Sequence, residues 1–103
     1  MLIAITRRDK KGANDLRVKT QKAHEDHLKK YMASIVFGGE LLPEGTLKQG
    51  RDVVITDLCG SLLIMDLPDR AAAQAFHDQD PYTKADLFDR VIIEEFNQRK
   101  PAP

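Results

Sequence analysis

The sequence predicts a small α+β sandwich with the element order βαββαβ, on three observations. Short apolar runs that read as strands alternate with two longer stretches of helical periodicity. Gly, Pro and Asp punctuate the chain between them. A length of 103 residues, with 42% hydrophobic and 31% charged side chains, suits one domain with one modest core.

The elements follow in order. "LIAITR", residues 2–7, reads as the first strand. The opening "MLIAITRRDKK" places its charges after a run of only five apolar residues, which is the reverse of a secretory signal. After a polar connection at Arg8–Gly12, Asn14 or Asp15 can accept from the open N–H groups of a helix that is expected to run to about Ala33. "SIVFGGELL" reads as the second strand, with Gly38-Gly39 marking a bulge or a close backbone approach. "PEGTLKQGRD" is rich in turn residues, and "VVITD" after it reads as a short extra strand. "GSLLIMDL" is the third main strand. Pro68-Asp69 opens a second helix, "RAAAQAFHDQ", which must stop near Asp80 because Pro81 disfavours helical geometry before it. "PYTKADLF" reads as a turn or short helix and "RVIIEEF" as the last strand, with residues 98–103 expected to fray.

Such an order fits a ferredoxin-like sandwich, with two helices on one face of an antiparallel sheet. A sheet covered on one side should alternate apolar and polar residues. "LLIM" does not, because Leu62 and Ile64 take one face while Leu63 and Met65 take the other, and "VII" repeats the pattern. The chain has no spare helix for the second face, so a homodimer joined through sheet faces is expected.

Composition excludes other classes. Lys+Arg and Asp+Glu both count 16, so no net field favours nucleic acid or an anionic membrane. No window approaches the roughly 20 apolar residues of a membrane span. One cysteine, Cys59, rules out an intramolecular disulfide and a multi-cysteine zinc site, and fits the cytoplasm.

The first helix carries the chemistry. At 100° per residue, Leu28, Tyr31, Met32 and Ile35 form a stripe that should face the sheet, and its N-terminal continuation passes through His24, Gln21, Thr20 and Arg17. A polar inward row is what a solvent-reached pocket needs, and an imidazole is the side chain best suited to carry a proton near neutral pH. Asp26 points away, Glu25 lies to the side and His27 sits on a shoulder. The two histidines of "HEDH" are three residues apart, not the four of the zinc-protease motif, and His77 should fall on the outer face of the second helix. No metal is expected. Asp80 can cap the short helix that starts at Pro81 and can also orient His24. Arg17 lies roughly 10 Å along the helix from His24, where it could hold a substrate carboxylate or form a surface ion pair. Ser61 follows Gly60 without a nucleophile elbow. Gly38-Gly39 lacks a phosphate-loop context, and Tyr82 can line a pocket or pack.

Taken together, these pieces resemble the YciI-like (YCII-related) family over nearly the whole chain, here residues 1–97. "LRVKTQKAHEDHL" is similar to its Arg- and His-bearing helix, "GGELLPEG" to its Ala-Gly-Pro-Leu turn, "GSLLIMDL" to its Gly-Ser strand and "AAAQAFHDQDPY" to its helix ending in Asp-Pro-Tyr. The resemblance implies a dimeric α+β barrel, a site built on His24 and Asp80, and kinship with barrels that process small cyclic compounds, including a dehydrochlorinase. Gln21, His27 and Glu40 stand where the family usually has Arg, an aromatic residue and Pro. The expected function is a cofactorless enzyme that moves a proton in elimination, isomerisation or hydrolysis. Arg17, Gly39, Glu40, Ser61 and Tyr82 are expected to contact its small-molecule ligand. The competing expectation is a non-catalytic module that binds a small metabolite.

Overall fold

A computed structural model describes residues 1–46 and 58–103. Strand β1 spans Leu2–Asp9, helix α1 Asn14–Lys29, β2 Ile35–Leu41, β3 Gly60–Asp66, α2 Arg70–Gln79, α3 Pro81–Lys84 and β4 Phe88–Glu95. The extra strand expected at 53–57 lies outside the described residues. The four strands form one sheet in the order β2-β3-β1-β4, and every neighbouring pair is antiparallel. This is the ferredoxin-like arrangement that the element order predicts. None of the described helices is long and apolar enough to cross a membrane.

Alternation along the strands sorts the side chains into two sets. On the helix side, Ile3 and Ile5 of β1, Leu63 and Met65 of β3 and Ile93 of β4 pack with Leu67, Ala73 and Phe76. Burying each large aliphatic or aromatic group of this set contributes about 1.5–3 kcal/mol. The opposite parity puts Leu2, Ala4, Leu62, Ile64 and Ile92 on the other face, so the sheet is apolar on both sides.

Local chemistry sets the ends of the elements. Asp69 Oδ1 accepts from the Ala72 N–H at 2.8 Å and starts α2. Asp80 Oδ1 accepts from the Tyr82 N–H at 2.9 Å, with Pro81 in the first turn of α3. Helix α1 stops at Lys29, short of the expected Ala33, because the chain tightens into a 3₁₀ turn at Met32–Ser34. There the Ser34 and Ile35 N–H groups both donate to the Tyr31 carbonyl. Leu28, Tyr31 and Ile35 pack against the core, whereas Met32, 62% exposed, lines the open cavity beside it.

Two glycines allow close backbone approach. A Cβ on Gly60 would collide with the Arg7 carbonyl, and one on Gly38 with the Leu63 side chain. Both lie beside the site described next.

Candidate functional site

Strand β1 continues past its expected end because Arg7 and Asp9 share the inward parity of Ile3 and Ile5, and each finds a buried ionic partner under the helices. In the strand register Glu40 of β2 stands beside Ser61 of β3, and Ser61 beside Arg7. A polar row therefore crosses the sheet on the helix side, beyond the end of the apolar core. Above it α1 presents Arg17 and His24, both buried. A cavity of about 290 Å³ lies between these walls and is lined also by Gly39, Glu25, Leu28 and Tyr82.

His24 is held from behind. Its Nδ1 lies 2.9 and 3.0 Å from the two carboxylate oxygens of Asp80. An ionised carboxylate only accepts, so Nδ1 carries the hydrogen and donates it. That tautomer leaves Nε2 with its lone pair, and Nε2 has no protein partner among the described residues. The imidazole stacks on the Tyr82 ring, with centroids 4.0 Å apart and planes 16° from parallel. The ring lines the cavity.

Asp80 is fully buried and shared. Besides His24 and the Tyr82 amide, its Oδ2 accepts from Arg7 Nη1 at 2.8 Å. Burial pushes the carboxyl upward, but the His24 hydrogen bond and the Arg7 charge prevail and hold it down at about 2. Arg7 also donates from Nε to Ser61 Oγ at 3.3 Å, and its guanidinium covers the Phe88 ring at 4.5 Å. Burial lowers its own pKa more than Asp80 restores it.

Arg17 is committed elsewhere. Its Nε and Nη2 donate to the two oxygens of Asp9 at 2.6 and 2.8 Å, a bidentate pair. Burial draws its pKa down, and Asp9 more than reverses the effect. Its guanidinium sits over the Tyr82 ring at 4.8 Å. Burial raises the Tyr82 phenol, against the opposing charge of Arg17. Arg17 thus borders the cavity as half of an ion pair, on the inside of the molecule and not at its surface.

The structure thus gathers Arg17, His24, Gly39, Glu40, Ser61 and Tyr82 around one cavity, with Asp80 directly behind His24. Two expectations fail. His77 is 6% exposed, not outward. The buried stripe of α2 runs through Ala73, Phe76 and His77, whereas centring it on Ala72 and Phe76 turns His77 away. Its Nδ1 accepts from Arg7 Nη1 at 3.4 Å, and burial followed by the Arg7 charge lowers its pKa. His27 is also buried rather than on a shoulder, since Tyr31 and Phe76 close over it. Its Nε2–H donates to the Phe76 carbonyl at 2.9 Å. His24 and His27 therefore point at different partners. Among the described residues no cluster of His, Cys, Asp and Glu is arranged to hold a metal ion.

Arg7 and Asp9 were not singled out from the sequence, and His77 was expected to point outward. A signal was present for the first two, because the parity of Ile3 and Ile5 carries Arg7 and Asp9 inward.

The pattern of the YCII-related domain family matches residues 1–97. The chain belongs to this family. A solved structure of 5-chloro-2-hydroxyhydroquinone dehydrochlorinase (TftG) from Burkholderia phenoliruptrix AC1100, in complex with 2,5-dihydroxybenzoquinone, is 33% identical over 97% of both chains, with a TM-score of 0.87. A protein of Agrobacterium tumefaciens shares 17% identity over 100% of this YCII-related chain and 98% of its own, with a TM-score of 0.56. An antibiotic biosynthesis monooxygenase shares 15% over 95% and 100%, with a TM-score of 0.50. The last two are similar in fold alone. No curated protein matches.

Proposed function

We propose that this YCII-related protein is a cofactorless enzyme in which His24 Nε2 exchanges a proton with a small hydroxylated ring, and that Asp80 orients the imidazole. The observation that carries this reading is the Nδ1 contact to both Asp80 oxygens at 2.9 and 3.0 Å, which leaves Nε2 as a base beside the cavity. The likeness to a dehydrochlorinase solved with a dihydroxybenzoquinone favours elimination among the reactions a proton carrier can run. In that step the ring first ketonises: one hydroxyl proton passes to the chlorine-bearing carbon, which becomes saturated. Nε2 then removes a proton from a second hydroxyl, and that oxygen's electron pair forms a carbonyl. The ring double bond shifts to the saturated carbon, and halide leaves it with the carbon–halogen bonding pair to give a hydroxyquinone. The net change is loss of hydrogen halide, with no oxidant or reductant.

A second copy of the chain is the proposed cover for the open sheet face. Leu62, Ile64 and Ile92 lie on that face, and Val36 and Phe37 of β2 remain 50% and 57% exposed. Its single cysteine, a free thiol, suits the cytoplasm.

The test offers chlorinated trihydroxybenzenes to the purified protein and follows chloride release anaerobically. His24→Gln should reduce turnover by about a hundredfold or more. Full turnover in that variant ends the His24 mechanism. Tight ring binding without chloride release or isomerisation would favour a binding module.

A further inference from the structure

We infer that the cavity selects an uncharged ring bearing hydrogen-bond donors over its carboxylated counterpart, and that Glu40, assisted by Glu25, sets this choice. The inference rests on the reading that the cavity takes a small ring, and it adds the ligand's charge and the residue that enforces it. Both guanidinium groups on the lining are already matched: Arg7 to Asp80 at 2.8 Å, and Arg17 to Asp9 through two bonds at 2.6 and 2.8 Å. All four side chains in these pairs are at most 5% exposed. A carboxylate on the ligand could reach only the N–H groups that these pairs leave over, on cations whose charge is already balanced. Displacing Asp80 or Asp9 would leave a buried carboxylate unpaired.

Apart from His24, the remaining charges on the lining are Glu25 and Glu40, and both are negative. Neither forms an ion pair with a cation among the described residues. The register fixes the direction of Glu40: it stands beside Ser61, whose hydroxyl accepts from Arg7 on the helix side of the sheet. Its carboxylate is therefore on the cavity side, one strand from Ser61. Leu28, Ile35 and Leu63 supply apolar surface to the same cavity, while the stacked His24–Tyr82 pair supplies a flat wall. A planar ring fits between such walls. Its hydroxyl groups can donate to Glu40, while a ring carboxylate at that place meets like charge in a half-enclosed site.

The experiment is anaerobic calorimetric titration with 1,2,4-trihydroxybenzene and with 2,5-dihydroxybenzoate. The neutral ring should bind about tenfold or more tightly than the carboxylate, the scale of one like-charge contact in a partly enclosed site. Added salt should narrow the gap. Glu40→Gln should recover most of the carboxylate's deficit, and Glu25→Gln a smaller part. Both positions are exposed, and thermal melting confirms that each variant is folded. The preference should persist in His24→Gln, which removes the imidazole from the lining. Equal or tighter binding of the carboxylate by the unaltered protein overturns the inference, as does an unchanged ratio in Glu40→Gln, loss of the preference in His24→Gln, or no binding of either ring. The preference without any chloride release supports this inference and sinks only the proposed elimination. Chloride release without the preference does the reverse.

Discussion

Arg7 Nη1 lies 2.8 Å from Asp80 Oδ2, and the two side chains are 1% and 0% exposed. A buried ion pair is poor evidence for net stability, since desolvation offsets much of its attraction. Its removal by halves is another matter. Arg7→Met would leave Asp80 ionised in a dry site, supported only by His24 and the Tyr82 amide. The expected loss is about 3–5 kcal/mol, the scale for orphaning one member of a buried pair. Arg7→Met combined with Asp80→Asn should be more stable than Arg7→Met alone. Urea denaturation of the four proteins in this cycle measures the coupling, and simple additivity would show that the pair acts independently.

Acid should weaken the fold in two windows. His77 is held below its ordinary 6.5 by burial and by Arg7, so the unfolded chain binds that proton first. Stability is fully present above pH 6.5 and declines as pH falls below it. Asp80 is held at about 2 against an ordinary 3.8, so the unfolded chain again takes up the proton first. Its share, about 2 kcal/mol, is present above pH 3.8 and is lost as pH falls toward 2. Denaturant midpoints from pH 8 to pH 3 in the unaltered protein and in His77→Gln test the upper window. The variant should show the shallower decline between pH 7 and 5, and parallel curves would remove His77 from the account.

The main elements were legible because local signals agreed with one another. Asp69 and Pro81 mark the helix starts, and the doubly apolar β3 occupies the middle of the sheet. The meeting of His24 and Asp80 was also within reach, since extending the α1 stripe backward leads to His24 and the break at Pro81 returns the chain to the sheet. What escaped depended on distant partners or on small rotations. Arg7 is explained by Asp80, 73 positions away. His77 turns inward when the α2 stripe shifts by one residue. His27 is fixed by a backbone carbonyl, a partner that residue identity does not announce.

If the open sheet face pairs with a second copy, the protein should behave as a homodimer in light scattering at micromolar concentration. Leu63 and Met65 lie in the core beneath the helices, so a charge there should unfold the chain. Leu62 lies on the other face and is half-buried in the single chain. Leu62→Glu should split the dimer while the helical circular dichroism is retained. A clean monomer of 11.6 kDa in the unaltered protein would dismiss the pairing.

The two histidines of α1 separate catalysis from packing. His27 is 6% exposed, donates to the Phe76 carbonyl and lies against the Tyr31 and Phe76 rings at 5.2 and 5.0 Å. Replacing it with Gln removes ring contacts and puts the carbonyl's hydrogen bond at risk, a loss of about 1–3 kcal/mol. His24 borders open space, and a Gln amide there can still donate to Asp80, so His24→Gln should cost under about 1–2 kcal/mol. The expected pattern is therefore crossed. His27→Gln lowers the melting temperature more and leaves the rate per folded molecule near normal, whereas His24→Gln melts later and loses about a hundredfold or more in turnover. Asp80→Asn is a poorer probe, because it also leaves the buried Arg7 guanidinium without its carboxylate. Melting curves and chloride-release rates on the two histidine variants decide the matter. Equal rates in both would make His24 a packing residue like its neighbour, held by Asp80 for stability alone.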